Sequence, residues 1–373
     1  MEDLQSFKIK SSIHDYEVRF EGFYDSIRSL ISDGDVIIID KSIYDQSEHG
    51  NMKEFLYWLE NSNGQGILGA HKKVVVDVSE KSKEYSEVGK CVGEIIESGF
   101  RKGNKIIAIG GGVVQDISGF IASTLYRGVD WVFYPTTLLA QGDSCIGGKS
   151  SINFGNYKNQ LGGFYPPHQI IIDTNFLSTL PGNQIISGLG EMAHYFMIQG
   201  GFELEFFKEA HSDRNRLDEV ITQSLRIKKR MVEIDEFDKG PRLVFNYGHS
   251  FGHVIESLTN YGVPHGIAVV HGMDMANYVS WKIGISNEET YLKSNSFLKN
   301  FWGGTYIKEV MIDFYNSNDY FLDRFIELLK KDKKNTQTHL GLILSKEPGY
   351  VFKQEVRPDD EFKNILREYS KQK

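Results

Sequence analysis

The chain has 373 residues, 40% hydrophobic and 25% charged, with a formal net charge of −8. That length suffices for two domains with real cores. The acidic balance excludes general nucleic-acid binding, and the two cysteines, Cys91 and Cys145, exclude a disulfide framework and fit a reducing compartment. No apolar run approaches the roughly 18 residues of a membrane span. The first six residues carry neither a basic segment nor an apolar core. The expectation is a soluble cytoplasmic protein with no membrane partner. In chain order, residues 16–20 alternate like a half-exposed strand, and 36–40 and 74–78 are short apolar runs suited to buried parallel strands. A helix is predicted over 83–98, a strand over 105–109 ending in Gly110-Gly-Gly112, a helix over 117–125, and strands over 131–134 and 170–173. This βα alternation implies a doubly wound, Rossmann-like α/β sheet. Past Leu180-Pro181 the pattern turns helical: 185–198, 202–210, 217–234, 246–258, 267–283 and 320–331, with one late strand at 340–344. A domain boundary is expected around 180–184, with the site in the cleft between the two halves.

The residues that carry chemistry concentrate in Arg242-Leu-Val-Phe-Asn246-Tyr-Gly-His249-Ser-Phe-Gly-His253 and in His265 beyond it. Two histidines four apart share a helix face, and a short turn returns His265 towards them. Two of these nitrogens plus one carboxylate from elsewhere make a three-ligand metal site with an open position; the plain alternative is a set of core and surface histidines. Glu191 supplies such a carboxylate, with His194 three residues on sharing its face. The glycines at 110, 111 and 112, at a strand end opening a helix, let a backbone approach a pyrophosphate; a tight strand–helix turn is the alternative. Asp116 follows within reach of a cofactor hydroxyl or amide. Glu80 and Lys83, after another strand end, suit a ribose and a phosphate, or a solvated helix start. The long polar stretch 135–149 reads as a functional connection, with Asp143 and Lys149 in it and Lys158 and Asn159 beyond it as binders of anions and hydroxyls. Lys228, Asp238 and the pair Lys333-Lys334 add charges for the same cleft or for a solvated helix face.

Together these segments resemble the dehydroquinate synthase-like superfamily, the sugar phosphate cyclases. The resemblance runs through most of the chain in order: Gly110-Gly-Gly-Val113-Val-x-Asp116, Arg127-Gly, Pro135-Thr136-Thr137-Leu-Leu, Asp143-Ser-x-x-Gly-Gly-Lys149, Lys158-Asn159, Asp173-Thr-x-Phe-Leu-x-Thr179-Leu-Pro181, Gly188-Leu-Gly-Glu191, Arg242-x-x-x-Asn246-x-Gly-His249-x-x-Gly-His253 and His265-Gly. It implies an NAD-binding α/β domain over 1–182, an all-α metal-binding domain over 183–373, and a homodimer. Glu191, His249 and His265 are then the ligands of one divalent ion, Zn or Co. Asp143, Lys149, Lys158, Asn159, His194, Lys228, Asp238, Arg242, Asn246, His253 and Lys334 face a small phosphorylated sugar, and Arg127 reaches the partner subunit's site. The cofactor set is Asp40, Glu80, Lys83, Gly110, Gly111, Gly112, Val113, Asp116, Thr136, Thr137, Asp143, Lys149, Lys158 and Thr179.

The implied reaction oxidises a ring hydroxyl transiently, eliminates phosphate beside the new ketone, returns the hydride, and closes a carbocycle by an aldol step, with NAD recycled. The chain departs from the family pattern at four places. His194 stands where a substrate-holding lysine is usual, Ile267 where a glutamate is, Gln115 where a glycine is, and Cys145 where a serine is. Retained Arg242 argues for a substrate with a carboxylate; His194 argues for a divergent one. The competing readings are a metal-dependent NAD(P) alcohol or polyol dehydrogenase of the same superfamily and a non-catalytic paralogue. The anion-binding set would be superfluous in the first, and an intact metal triad in the second.

Overall fold

The computed structural model describes residues 6–45, 71–155, 157–316, 319–331, 335–336 and 338–372. The chain divides into two units, Met1–Thr179 and Leu180–Lys373. Strands of the first are, in chain order, β1 (Ser6–Ile9), β2 (Tyr16–Phe20), β3 (Val36–Asp40), β4 (Lys73–Val76), β5 (Ile106–Gly110), β6 (Trp131–Pro135), β7 (Lys149–Phe154), β8 (Tyr157–Phe164) and β9 (Gln169–Ile172). Seven of them form one sheet in the order β1-β2-β9-β6-β5-β3-β4. All neighbours are parallel except the β1–β2 pair at one edge. Every residue of the apolar runs β3, β5 and β6 is buried, as central parallel strands covered on both faces require. Helix α1 (Phe23–Leu30) lays Phe23 and Ile27 on Ile37, Ile39, Ile107, Ile109, Tyr134 and Ile171. Helices α2 (Lys41–Asp45), α3 (Tyr85–Glu97) and α4 (Gly112–Thr124) follow β3, β4 and β5 in the chain.

Two local readings change. Helix α4 begins at Gly112, earlier than the predicted 117, so the glycine run leads straight from strand into helix. Beyond the polar connection 135–149 lies an antiparallel hairpin, β7 on β8, which the elements expected from the sequence did not include. Its inner face alternates, with Ser150 and Ile152 buried. The glycines and lysines around it masked that period in the sequence.

The second unit is helical: α5 (Gly182–Gln199), α6 (Gly201–Ala210), α7 (Leu217–Ile234), α8 (His249–Leu258), α9 (His265–Lys282), α10 (Glu288–Leu298), α11 (Thr305–Tyr315), α12 (Asp319–Lys330) and α13 (Asp360–Ser370). The expected late strand is β10 (Leu340–Glu347), paired with β11 (Tyr350–Val356). At its centre is α9, buried continuously from Gly266 to Ser280. An all-round buried helix must satisfy its polar side chains internally. Asp274 accepts from Asn295 Nδ2 and Tyr369 Oη, each at 2.7 Å, and Asn277 Oδ1 accepts from Tyr247 Oη at 2.5 Å.

Helices α5 and α8 approach α9 so closely that side chains are excluded. A Cβ on Gly266 would fall 1.8 Å from the Ser187 carbonyl oxygen, and one on Gly272 2.0 Å from that of Gly248. In both cases the obstacle is backbone, which cannot swing aside. Gly272→Ala is therefore expected to cost on the order of 1–3 kcal/mol, read as a lowered thermal unfolding midpoint. An unchanged midpoint would show that the approach is not tight.

Candidate metal centre and active-site residues

Three helices deliver one cluster. Glu191, in the middle of α5, is buried among apolar residues. His249 opens α8 after Gly248, whose φ of 81° is the left-handed turn that ends the 3-10 segment Pro241–Asn246. His265 opens α9 directly after Pro264, whose ring presets the entry angle. Glu191 Oε1 lies 3.3 Å from His249 Nε2, and Glu191 Oε2 lies 3.5 Å from His265 Nε2. One donor atom from each of the three residues falls within 4.8 Å of the others. Among the described residues Glu191 Oε2 is buried without a hydrogen bond, which a carboxylate oxygen tolerates only where a cation serves it. Two imidazoles and one carboxylate are a donor set for Zn²⁺ or Co²⁺. The residues present thus fit a divalent ion. Burial would raise the Glu191 carboxyl, but the imidazoles of His249, His194 and His265 outweigh it and hold the group well below the ordinary carboxylate range.

His253 stays outside the triad, exposed one turn along α8, its ring stacked 5.8 Å from that of His265. Nδ1 of His194 donates to the Glu191 carbonyl at 2.5 Å, and its ring lies 5.1 Å from that of His249. Phe245 meets the His194 ring edge-on at 5.9 Å, so the 3-10 segment carrying Arg242 and Asn246 packs beside the cluster. Arg242 is buried and donates from Nη1 to the Glu236 carbonyl at 2.6 Å, while Asn246 Nδ2 donates to Leu243 O at 3.0 Å. Lys228 is buried on α7, and Asp238 sits at a left-handed φ of 56°.

Sequence reasoning missed two residues here. Asp235 accepts the backbone N–H groups of Lys239, Gly240 and Arg242, and so fixes the turn before Arg242. Glu256 accepts from His265 Nδ1 at 3.2 Å. Its signal was present, since it follows His249 by seven residues and shares that face of α8.

In the first unit, a second polar group gathers. Lys83, almost fully buried, lies 2.8 Å from Asp116 Oδ2 and donates to Asn159 Oδ1 at 2.8 Å. Asp116 Oδ1 accepts from Ser151 N at 2.9 Å, and Glu80 lies 3.5 Å from Lys158 Nζ. The predicted Glu80, Lys83, Asp116, Lys158 and Asn159 are thus neighbours, with the hairpin supplying the last two. Gly110 and Gly111 admit Asp40 and Thr137 close to their backbone. Among the described residues, nothing outside the adjoining backbone stands within 4 Å of a Cβ built at Gly112, and no side chain caps α4. The open N–H groups and dipole at that end fit a pyrophosphate. Val113 lies in the same first turn. Asp40 is buried and accepts from Ser42 N and Oγ at 2.7 and 2.6 Å; burial raises its carboxyl.

Thr136 is buried beside Gly110, its backbone N–H donating to that residue's carbonyl at 3.0 Å, whereas Thr179 is exposed at the end of a 3-10 segment. Asp143 lies in a single π turn, Ala140–Ser144, and Lys149 opens β7, exposed. Gln115, one of the departures noted above, clamps that turn: its Nε2 donates to Ser144 O and Ser144 Oγ donates to its Oε1, both at 2.6 Å. Arg127 is exposed in a turn where it, Tyr126 and Gly128 all have positive φ, at 65°, 50° and 111°. Lys333 and Lys334 lie outside the described residues. Among the described residues no helix is long and apolar enough to cross a membrane.

The family model 3-dehydroquinate synthase N-terminal matches residues 73–187, and 3-dehydroquinate synthase C-terminal matches 188–335. The 3-dehydroquinate synthase of Clostridium perfringens is 37% identical over 285 residues, 75% of this chain and 79% of that protein. Among solved structures, 2-deoxy-scyllo-inosose synthase complexed with carbaglucose-6-phosphate, NAD⁺ and Co²⁺ superposes with a TM-score of 0.81 at 23% identity, covering 98% of this chain and 99% of that one. The 2-epi-5-epi-valiolone synthase of Streptomyces hygroscopicus subsp. jinggangensis, with NAD⁺ and Zn²⁺ bound, gives 0.77 at 20% identity, with 96% and 97% covered. The fold is therefore that of the dehydroquinate synthase-like proteins, an α/β unit followed by a helical one. The chain belongs to the 3-dehydroquinate synthase family.

The Lys83–Asp116 pair makes a testable electrostatic prediction. Burial pushes the Asp116 carboxyl up, against the pull of Lys83. A raised folded-state acid favours the fold at low pH and loses that contribution as pH rises through the raised value. Lys83→Met removes the opposing charge. It is expected to destabilise by roughly 1–3 kcal/mol at neutral pH, given a carboxylate still partly solvated. Lowering the pH, so that the raised Asp116 carboxyl takes up its proton, should narrow the gap to the parent. Thermal unfolding at neutral and lowered pH checks it; a gap independent of pH would contradict the assignment.

Proposed function

We propose that this chain is an NAD- and metal-dependent sugar phosphate cyclase, a lyase that eliminates phosphate from a phosphorylated sugar and closes a carbocycle. The observation that carries this reading is the convergence of Glu191, His249 and His265 on one point, in a chain of the 3-dehydroquinate synthase family. Glu191, His249 and His265 would hold a divalent ion that would supply polarisation of the oxygen being oxidised, and the glycine-rich β5–α4 turn would hold NAD, which would supply a hydride acceptor. In this reading, Gly110, Gly111, Gly112, Val113 and the first turn of α4 hold the pyrophosphate, while Asp40, Glu80, Lys83, Asp116, Thr136, Thr137 and Thr179 hold the rest of the cofactor. The same unit offers Asp143, Lys149, Lys158 and Asn159 to both ligands.

On the substrate, Arg242 binds a carboxylate or phosphate, its guanidinium already oriented by the Glu236 carbonyl. Asn246 and His253 position the phosphate so that its own oxygen takes the proton from the carbon beside the new ketone. Lys228 and Asp238 add polar groups for the substrate, and Lys334, outside the described residues, stays a candidate from the sequence alone. Loss of one phosphate-binding cation is expected to cost ~2–4 kcal/mol of transition-state stabilisation. The exposed Arg127 suits completion of a partner subunit's site in a homodimer, working in the cytoplasm on a small soluble substrate.

His194 bears on which sugar phosphate is used. Its Nδ1–H is committed to the Glu191 carbonyl, so it presents a ring edge where the family's usual lysine presents a mobile cation. Retained Arg242 favours a carboxylate-bearing substrate.

The test is phosphate release, with NAD and metal supplied, over a panel: the seven-carbon keto-acid phosphate of aromatic biosynthesis, its amino analogue, sedoheptulose 7-phosphate and glucose 6-phosphate. One of them is expected to yield phosphate with no net NADH. One NADH per substrate would instead identify a polyol dehydrogenase. His194→Lys, run on the same panel, is expected to shift preference between substrates while leaving the unfolding midpoint near the parent's. An unchanged profile would remove His194 from specificity.

A further inference from the structure

The metal triad accounts for one nitrogen of His265 but not for the other. His265 Nε2 faces Glu191, and Nδ1 faces Glu256 Oε2 at 3.2 Å. A carboxylate only accepts, so the proton sits on Nδ1, and the lone pair that can ligate is left on Nε2. Glu256 is placed for this by the helix it stands on. His249, His253 and Glu256 lie at intervals of four and three residues on α8, the spacing of one face. His265 meets that face from the start of α9. The ring of His253 stacks on that of His265.

From this geometry we propose that Glu256 is a positioning residue for the metal centre: by accepting from His265 Nδ1 it fixes the ligating tautomer and ring orientation, and its charge strengthens Nε2 as a donor. The inference rests on the metal reading above. Glu256 is distinguished from Glu191, the ligand, by which imidazole nitrogen it meets. A carboxylate behind a ligating histidine changes metal affinity typically 10–100-fold. It also brings a second negative charge to the site, so that a divalent ion with Glu191 and Glu256 is balanced.

The alternative role for Glu256 is as a ligand itself. His253, Glu256 and His265 also offer donor atoms within 4.8 Å of one another. That arrangement needs Nδ1 of His265 to be the unprotonated, ligating nitrogen, which removes its bond to Glu256. The observed bond and the Glu191 contact on Nε2 favour the first arrangement.

The experiment measures Co²⁺ affinity of the full chain by competition with a chromophoric chelator, together with the Co²⁺ visible absorption bands and the unfolding midpoint of the metal-free proteins. The proteins are the parent, Glu256→Gln, Glu256→Leu and, as a control, His249→Ala. Glu256→Leu is expected to bind about 10–100-fold more weakly than the parent. Glu256→Gln, which keeps an acceptor but no charge, should fall between them with the parent's band positions. All variants should be folded at the assay temperature. Parent-like affinity in both Glu256 variants would overturn the inference while leaving the triad standing. Changed bands in Glu256→Gln would overturn it in favour of direct ligation. A parent that binds no better than His249→Ala would overturn the metal reading itself, and this inference with it.

Discussion

The close approach of three helices in the second unit is the constraint from which the site follows. Glycine at 266 and 272 lets α9 lie against the backbone of α5 and of the Gly248 turn at a distance that no side chain permits. At that spacing Glu191, His249 and His265 must meet, since each stands where its helix crosses or begins. The geometry of the donors is thus set by main chain packing rather than by long flexible side chains. Preorganisation of this kind keeps a ligand set within tenths of an ångström of its working arrangement. It also explains why α9 is buried on all sides: it is the element against which the other two are positioned.

Holding a carboxylate in such a place is costly unless positive charge surrounds it. Burial alone would neutralise Glu191; the three neighbouring imidazoles keep it ionised and available. Glu256 repeats the arrangement one layer out. The first unit solves the same problem differently, pairing Asp116 with a buried lysine and a backbone N–H from the hairpin. Both sites place charge in partly dry surroundings, where its interactions with a ligand are strongest.

Much of this was legible in the residues. Buried parallel strands announced themselves as the unbroken apolar runs 36–40 and 105–109, and the glycine run marked the β5–α4 turn. The triad was readable because catalytic residues come in spaced groups of uncommon types. Other parts were not. The β7–β8 hairpin carries its period of two on only Ser150 and Ile152, hidden among glycines and lysines. The helix predicted over 246–258 begins only at His249, because Gly248 before it takes a left-handed conformation that periodicity does not report. Glu256 lay on a face already recognised, yet its role depends on which nitrogen of His265 it meets, and only the fold decides that. Gln115 looked like a loss of glycine and proved to be a clamp on the π turn.

In the proposed reaction the hydride leaves the substrate and returns to it within one catalytic cycle. Deuterium placed on the carbon that is transiently oxidised tests this most directly, with the substrate that releases phosphate and with NAD in excess. The account predicts that the deuterium is retained in the carbocyclic product and that none accumulates in NADH. Deuterium appearing in free NADH, with a ketone as the product, would contradict it.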